Sequence, residues 1–454
     1  MAGDEPGSGP APKGPPMDRD DADDRDLIHP RDALLRTMER VYRYRMTTTS
    51  GGNLSVRDAD GAVWITPARV DKGGLTRDDI VRVRPDGTAE GRHRPSSEFP
   101  FHRAIYAARA DLRAIVHAHP VALVAFSIVG KVPDTRLLPT ARRVCGPVGF
   151  APYALPGSAV LGERIAATFA QGFHCAVLEN HGVVTGGATL AEAFERFETL
   201  EFCAKTIIKA GQMGPVRTLS EAEAERPRPL LTVAPQARHE PPTAREKELR
   251  RELCAFVRRG YQQRLLISTQ GAFSARLEGD SFLVTPHRVD RSALDLDDLV
   301  LVAGGVPVAG KRSPSSAAVN HLAIYRAHPD VHAIVTAYPV NATAFSVGDA
   351  TLDARTIPES YLFLRDVKRV PYGAQFGDGR ALAEATSPRQ PVLLLDNDGV
   401  QVCGTSVLDA FDRLEVLEST AEAMINSRPL GPMVPMPDAA LAELRRAFFG
   451  EMDG

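Results

Sequence analysis

The 454-residue sequence has no uninterrupted apolar run near the roughly 20 residues that span a bilayer. Cysteine is scarce. Cys145, Cys175, Cys203, Cys254 and Cys403 are odd in number, scattered, and nowhere paired as Cys-x-x-Cys. That excludes a disulfide framework or a zinc ribbon and suits a reducing compartment, with each cysteine a small buried hydrophobe. An excess of one charge is also missing. A formal net charge of -3 and a pI near 6.5 give no global pull toward nucleic acid or anionic membrane. The start reads Met-Ala-Gly-Asp-Glu-Pro, then turns Pro/Gly-rich and Asp-rich, without the basic start and apolar centre of a secretory signal. The expectation is a cytoplasmic protein with no nucleic-acid or membrane partner and a disordered leader over residues 1–27.

What the chain does have is an internal repeat. Trp64-Ile-Thr-Pro-Ala-Arg-Val-Asp71 matches Leu283-Val-Thr-Pro-His-Arg-Val-Asp290, and Pro95-Ser-Ser-Glu98 matches Pro314-Ser-Ser-Ala317. His102-Arg-Ala-Ile-Tyr106 matches His321-Leu-Ala-Ile-Tyr325, and Ala114-Ile-Val-His-Ala-His-Pro-Val121 matches Ala333-Ile-Val-Thr-Ala-Tyr-Pro-Val340. Leu178-Glu-Asn-His-Gly182 matches Leu395-Asp-Asn-Asp-Gly399. A nearly constant offset over so long a stretch marks a tandem duplication of one domain, with a period too long for a solenoid. The Pro-, Glu- and Arg-rich stretch from Gly211 to Thr243 reads as an exposed connector. The expected organisation is a first domain at 28–212, a linker at 213–244, a second domain at 245–427 and a tail at 428–454 with a short helix near Ala439–Phe449.

Periodicity predicts helices over Arg31–Arg45, Phe99–Arg109, Leu161–Gln171 and Leu190–Ala210. It predicts strands over Val63–Thr66, Ile80–Arg84, Arg113–His119 and Cys175–Leu178. The mixture gives α/β layers with helices covering a sheet.

His117 and His119 sit at the end of one predicted strand, two residues apart, and so leave the same face as Ile115. His181 lies just past another strand, in Glu179-Asn-His-Gly182, where a glycine-bounded turn can aim it back over the sheet. A histidine at a strand end can be a satisfied core residue. Three converging on one place instead point to a divalent metal with an open position, the pattern of catalytic zinc. His29, His93, His174 and His239 have no such partners. His102 recurs as His321 in the copy without the triad, which assigns it to packing or hydrogen bonding.

The chain resembles the class II aldolase/adducin family. The resemblance is carried by Ser50-Gly-Gly-Asn-Leu-Ser55, Ile65-Thr-Pro67, Ser96-Ser-Glu98, His117-Ala-His-Pro120 and Asn180-His-Gly182, and covers both copies, about 28–212 and 245–427. It implies a three-layer α/β/α sandwich with a central, mainly antiparallel sheet, duplicated in tandem. It also implies a zinc-dependent lyase or epimerase acting on phosphorylated ketoses, in four-fold tetramers with sites at subunit boundaries. Two tandem chains could then close a pseudo-tetramer as a homodimer. The residues carry the chemistry independently. Carbon–carbon cleavage beside a hydroxyl leaves an enediolate that a divalent ion can stabilise, and Glu98 is placed to move the proton. Ser96 and Ser97, before a helix start, and Gly52 with Asn53, in a tight turn, are the candidate contacts for a small anionic substrate. Zn2+, Mn2+, Fe2+ or Co2+ could serve, since three histidines do not select among them.

The family's phosphate loop, Thr-Pro-Ser/Thr-Gly, is here Thr66-Pro-Ala-Arg69. Arg69 could pair bidentately with a carboxylate or phosphate, or be a solvated loop arginine, and the second copy repeats it as Arg288. The altered loop leaves epimerisation, decarboxylation or non-heme iron oxygenation open beside aldol cleavage, and an adducin-like scaffold as the non-enzymatic alternative. The family's active-site tyrosine has no clear counterpart in the first copy, and Tyr361 is the substitute if the copies face each other. In the second copy the three histidines become Thr336, Tyr338 and Asp398, and Glu98 becomes Ala317, so that copy reads as a folded pseudo-catalytic domain.

Overall fold

The structure, a computed structural model, describes residues 28–233 and 240–450. The expected leader at 1–27 lies outside the described residues. The chain divides into two compact units, one ending at Thr135 and resuming at Val144–Ala204, the other made of Arg136–Arg143 and the chain from Lys205 onward.

In the first unit α1 (Pro30–Arg43) precedes β1 (Asn53–Arg57), β2 (Val63–Ile65), β3 (Val81–Val83) and β4 (Ala89–Glu90). Next come α2 (Phe99–Ala108), β5 (Ala114–Ala118), α3 (Val121–Ile128), α4 (Pro139–Cys145), whose first residues belong to the second unit, and β6 (Val148–Ala151). The copy closes with α5 (Ala159–Ala170), β7 (Cys175–Leu178), β8 (Gly182–Gly187) and α6 (Leu190–Gly211). The sheet runs β4-β3-β2-β1-β5-β8-β7-β6, with every pairing antiparallel except β6–β7. It is the central layer of an α/β/α sandwich, as the resemblance implies. Phe101 and Ile105 of α2 and Leu161, Ile165 and Phe169 of α5 pack on Ile115, Leu178 and Val184 to form the core on one face.

The second unit repeats this plan. After α7 (Glu221–Ala224) and α8 (Ala244–Gln262) come β9 (Ala272–Arg276), β10 (Phe282–Val284), β11 (Val300–Ala303) and β12 (Val306–Pro307). Then α9 (Ala318–Ala327), β13 (Ala333–Ala337), α10 (Val340–Ser346), α11 (Pro358–Leu364), β14 (Lys368–Val370) and α12 (Arg380–Ala385) follow. β15 (Val392–Leu395), β16 (Gly399–Gly404), α13 (Val407–Ser427) and α14 (Asp438–Phe449) complete it. The strand order is again β12-β11-β10-β9-β13-β16-β15-β14. No helix among the described residues is long and apolar enough to cross a membrane. All five cysteines are free and buried.

Local chemistry explains the element ends. β5 is Ala-Ile-Val-His-Ala, buried at every position, and Pro120 ends it by removing a ladder donor while pre-setting φ for α3. Ser158 caps α5 by accepting from the Leu161 N–H at 3.1 Å. The strands β1, β4, β6 and β8 and the helices α3 and α4 were not expected from periodicity. Strand β8 is Gly-Val-Val-Thr-Gly-Gly, whose glycines read as breakers, and only pairing with β5 and β7 makes it a strand.

The connector is exposed over most of its described residues, as its composition suggests, but a few side chains turn inward. Ser220 caps α7 in a reciprocal box with Glu223, Leu219 and Ala224 are buried, and the Arg228 side chain is 8% exposed. The composition is polar, but a buried carboxylate, Asp398, draws Arg228 inward.

Candidate metal centre

Three elements bring the site together. Central strand β5 carries His117 on the face that packs against α2, with His119 just past its end, and His117 lies directly opposite Asn53 of β1 and Val184 of β8. His181 arrives from the β7–β8 turn, where Asn180 takes a left-handed φ of 51°. Gly182 lets that turn close. A Cβ there would lie 2.7 Å from both the Ala118 carbonyl oxygen and His119 Cδ2. Glu98 stands just before α2, whose Pro100 fits the first turn.

The three imidazoles converge, with ring centroids 4.8 to 5.0 Å apart and one ligand nitrogen from each within 4.8 Å of the others. His117 Nδ1–H donates to the Val183 carbonyl at 2.9 Å, which leaves its Nε2 lone pair facing the cluster. Both His117 Nε2 and His119 Nε2 are buried with no hydrogen-bond partner, as is Glu98 Oε1. Glu98 Oε2 lies 3.1 Å from His117 Nε2, and Oε1 lies 3.3 Å from His181 Nε2. Orphaned nitrogens at this spacing, beside an acid, are a donor set that fits a first-row divalent ion.

The electrostatics agree. Burial first, then the neighbouring rings, lowers His119 to about 3 and His181 to about 4, so both are neutral at physiological pH. Burial opposes the charge on Glu98, but the adjacent His117 and His181 and the Asn53 amide outweigh it and hold its carboxyl well below the usual range.

The remaining expected residues fall around this centre. Asn53 Nδ2 donates to Glu98 Oε2 at 2.8 Å. Gly52 has φ +70°, and a Cβ there would sit 2.9 Å from the His117 carbonyl. Ser96 is buried, its hydroxyl accepting from the Glu98 N–H at 3.2 Å, while Ser97 is exposed. A bridge between Pro67 and Pro95 sets the Thr66-Pro-Ala-Arg69 loop beside the serines. Arg69 is exposed, with φ +56°, so an arginine occupies a backbone conformation suited to glycine, and Arg288 repeats it at +54°. Tyr361 is buried in the second unit, its hydroxyl accepting from Arg445 at 3.4 Å.

Sequence reasoning missed two features. One is Lys72, 2% exposed, which clamps the loop by donating to the Pro67 carbonyl. Burial lowers its amine to about 8. Its counterpart Arg291 binds the carbonyls of Pro286, Val289 and Gly271. The other is a hydrogen-bonded group behind Glu98. His102 Nδ1 meets Ser55 Oγ at 2.7 Å, Ser55 Oγ meets the Tyr106 hydroxyl at 2.7 Å, and His102 Nε2 meets Asn53 Oδ1. The signal was the recurrence of all three residues as Ser274, His321 and Tyr325.

The corresponding positions of the second copy hold no such donor set. Thr336 Oγ1 and His321 Nε2 share a hydrogen bond at 3.0 Å, and the Tyr338 hydroxyl donates to Asp398 at 3.3 Å. Asp398 forms an ion pair with Arg228 of the connector.

Two copies of one mixed sheet, one carrying the histidine and carboxylate cluster, define a duplicated α/β/α scaffold. The chain belongs to the class II aldolase and adducin N-terminal domain family, whose model matches residues 32–208 and 251–425. An L-fuculose phosphate aldolase of Methanococcus maripaludis is 32% identical over 169 residues, 37% of this chain and 90% of that protein. A 3-oxo-tetronate 4-phosphate decarboxylase of Haemophilus influenzae is 30% identical over 199 residues, 43% of this chain and 94% of that protein. A 5-deoxy-D-ribulose 1-phosphate aldolase of Bacillus thuringiensis is 29% identical over 202 residues, 43% and 92% respectively. A solved L-fuculose 1-phosphate aldolase is 31% identical, covering 43% of this chain and 92% of that one, with a TM-score of 0.40.

Two outcomes follow from these charges. Arg228→Ala leaves Asp398 buried without its cation and should cost about 3 kcal/mol, read as a lower denaturant midpoint for unfolding of the second unit. The buried histidines set a pH dependence. His102, His119 and His321 at about 3, and His181 at about 4, resist protons that the unfolded chain takes up near 6.5. The unfolded state therefore binds more protons between those values, and chelator-treated protein should lose stability as pH falls from about 6.5 toward 3. Glu98, ionised in the fold, adds loss in the same direction below its ordinary value of 4.5. Equal urea midpoints at pH 7 and pH 4.5 would contradict this.

Proposed function

We propose that the first copy is a metal-dependent lyase of the aldolase type, acting on a small hydroxy-carbonyl substrate with an anionic, sugar-phosphate-like handle. The observation that carries the reading is the convergence of three imidazoles on one buried carboxylate, with the His117 and His119 Nε2 atoms left without hydrogen-bond partners. His117, His119 and His181 would hold the ion. A divalent ion bound there supplies Lewis-acid polarisation of adjacent carbonyl and hydroxyl oxygens. Glu98 is the proton-moving group, ionised and held beside the ligands. Ser96, Ser97, Gly52 and Asn53 offer hydroxyls, backbone donors and an amide to the anionic end. Arg69, exposed beside that cradle, adds a cation whose fork matches carboxylate or phosphate.

The second reading is decarboxylation of a phosphorylated 3-oxo acid. It is favoured by the likeness to the 3-oxo-tetronate 4-phosphate decarboxylase over 94% of that protein's length. Decarboxylation also delivers an electron pair to a carbon beside a polarised carbonyl, so the same residues serve both. Epimerisation by cleavage and re-addition uses them as well. The second copy is a pseudo-catalytic domain, since threonine, tyrosine and aspartate replace the imidazoles there. Assembly as a homodimer in a reducing cytoplasm completes the proposal, and the five free cysteines suit that compartment.

Metal analysis of protein purified without chelator should give one zinc, manganese, iron or cobalt ion per chain, lost in His117→Ala. No bound metal in either protein removes the enzymatic reading. Turnover is then sought with dihydroxyacetone phosphate plus small aldehydes, and with phosphorylated 3-oxo acids. With whichever substrate turns over, Arg69→Ala should raise KM about 10-fold with kcat little changed, the signature of lost uniform binding. An unchanged KM restricts Arg69 to its loop.

A further inference from the structure

We propose that His102 is a positioning residue for Glu98: it fixes the orientation of the Asn53 amide, and that orientation decides whether the carboxylate is held at the histidine cluster. The proposal rests on the reading of Glu98 as the proton-moving group.

An ionised Glu98 only accepts, so the Asn53 group 2.8 Å from Oε2 is the amide N–H2. Asn53 Oδ1 then faces His102, and His102 Nε2 must carry the proton that bonds it. With that tautomer, Nδ1 accepts from the Ser55 hydroxyl at 2.7 Å. Ser55 Oγ in turn accepts from the Tyr106 hydroxyl at 2.7 Å. Every donor in the series points toward Glu98, and Ser55 and His102 are fully buried, so water cannot substitute. Without the His102 N–H, the amide loses the bond that sets its direction. Turned over, it would present oxygen to a carboxylate oxygen.

The second copy separates this role from folding. Ser274, His321 and Tyr325 make the same contacts, at 2.8 Å each, so the group is a packing device of the fold. What differs is the target of the ring's Nε2. In the first copy it is Asn53, directly across the ladder from His117. In the second it is Thr336, across from Ala272. Within one cross-strand pair the ring's Nε2 has changed partner. Only in the first copy does it reach an amide that bonds a carboxylate.

The experiment uses the full chain and two readouts. One is the visible absorption of the Co2+-loaded protein. The other is solvent-deuterium exchange into dihydroxyacetone phosphate, with its rate constant and half-saturation. Glu98→Gln is the benchmark. His102→Phe and Asn53→Ala should keep one Co2+ per chain but shift its spectrum toward that of Glu98→Gln. Each should lower the exchange rate constant about 100-fold, the scale of a displaced reacting group, and in His102→Phe half-saturation should change little. His102→Gln, whose side-chain N–H2 can donate to Asn53, should restore most of both. His321→Phe should lower the denaturation midpoint as His102→Phe does, yet leave spectrum and exchange at wild type. If His102→Phe does not fold, Ser55→Ala, which removes the donor to Nδ1 and leaves the ring, takes its place with the same expected shift. A wild-type spectrum in folded His102→Phe or Asn53→Ala overturns the proposal. So does an equal loss of exchange in His321→Phe. If Glu98→Gln itself exchanges at the wild-type rate, the functional reading of Glu98 fails, and the cobalt spectra alone decide whether His102 positions it.

Discussion

The register of β5 between β1 and β8 is the constraint on which the site rests. That strand is buried at every position, and its alternation sends Ile115, His117 and His119 to the α2 face. A slip of one residue would turn both histidines to the other face and bring Val116 and Ala118 toward Glu98. The same register puts Asn53 opposite His117 and lets the Val183 carbonyl take the His117 Nδ1 proton. Ligand direction, ligand tautomer and the tether of the carboxylate therefore all derive from one set of ladder hydrogen bonds. Gly182 closes the arrangement, because the turn carrying His181 packs against the end of β5 with no room for a side chain.

The duplication shows which parts of this scaffold are fold and which are chemistry. Both copies keep the strand order, the proline bridge, the left-handed arginine in the loop and the buried Ser–His–Tyr group. The first copy alone combines three imidazoles with a carboxylate. In the second, the potential cost of burying Asp398 is met by Arg228. A buried carboxylate needs a cation or donors nearby. The connector supplies one from within the chain.

Membership of the class II aldolase and adducin N-terminal domain family holds for both copies, one with the histidine cluster and one without it. The relatives include sugar-phosphate aldolases and a decarboxylase, reactions that share an electron pair placed next to a polarised carbonyl. In this chain the loop beside the serines carries Arg69, a cation in a glycine-like conformation, which we propose meets the anionic end of the substrate.

Much of the site was legible in the sequence because its carriers are local. His-x-His at a strand end, a histidine after the next strand, and Ser-Ser-Glu before a helix each declare themselves over a few residues, and the repeat shows which copy keeps them. Helices α2, α5 and α6 and strand β7 were legible for the same reason, through periodicity along one segment. Strand β8 was not, because its glycines weaken the strand signal and its identity comes from neighbours distant in sequence. Nor was the inward turn of Arg228, since a polar linker is drawn in only by a buried charge 170 residues away. The role of His102 was half legible: recurrence assigned it to hydrogen bonding. Only the tertiary structure decided that the ring's Nε2 pairs with Asn53 in one copy and that its counterpart in His321 pairs with a threonine in the other. A hydrogen bond depends on direction across the sheet, which no single segment encodes.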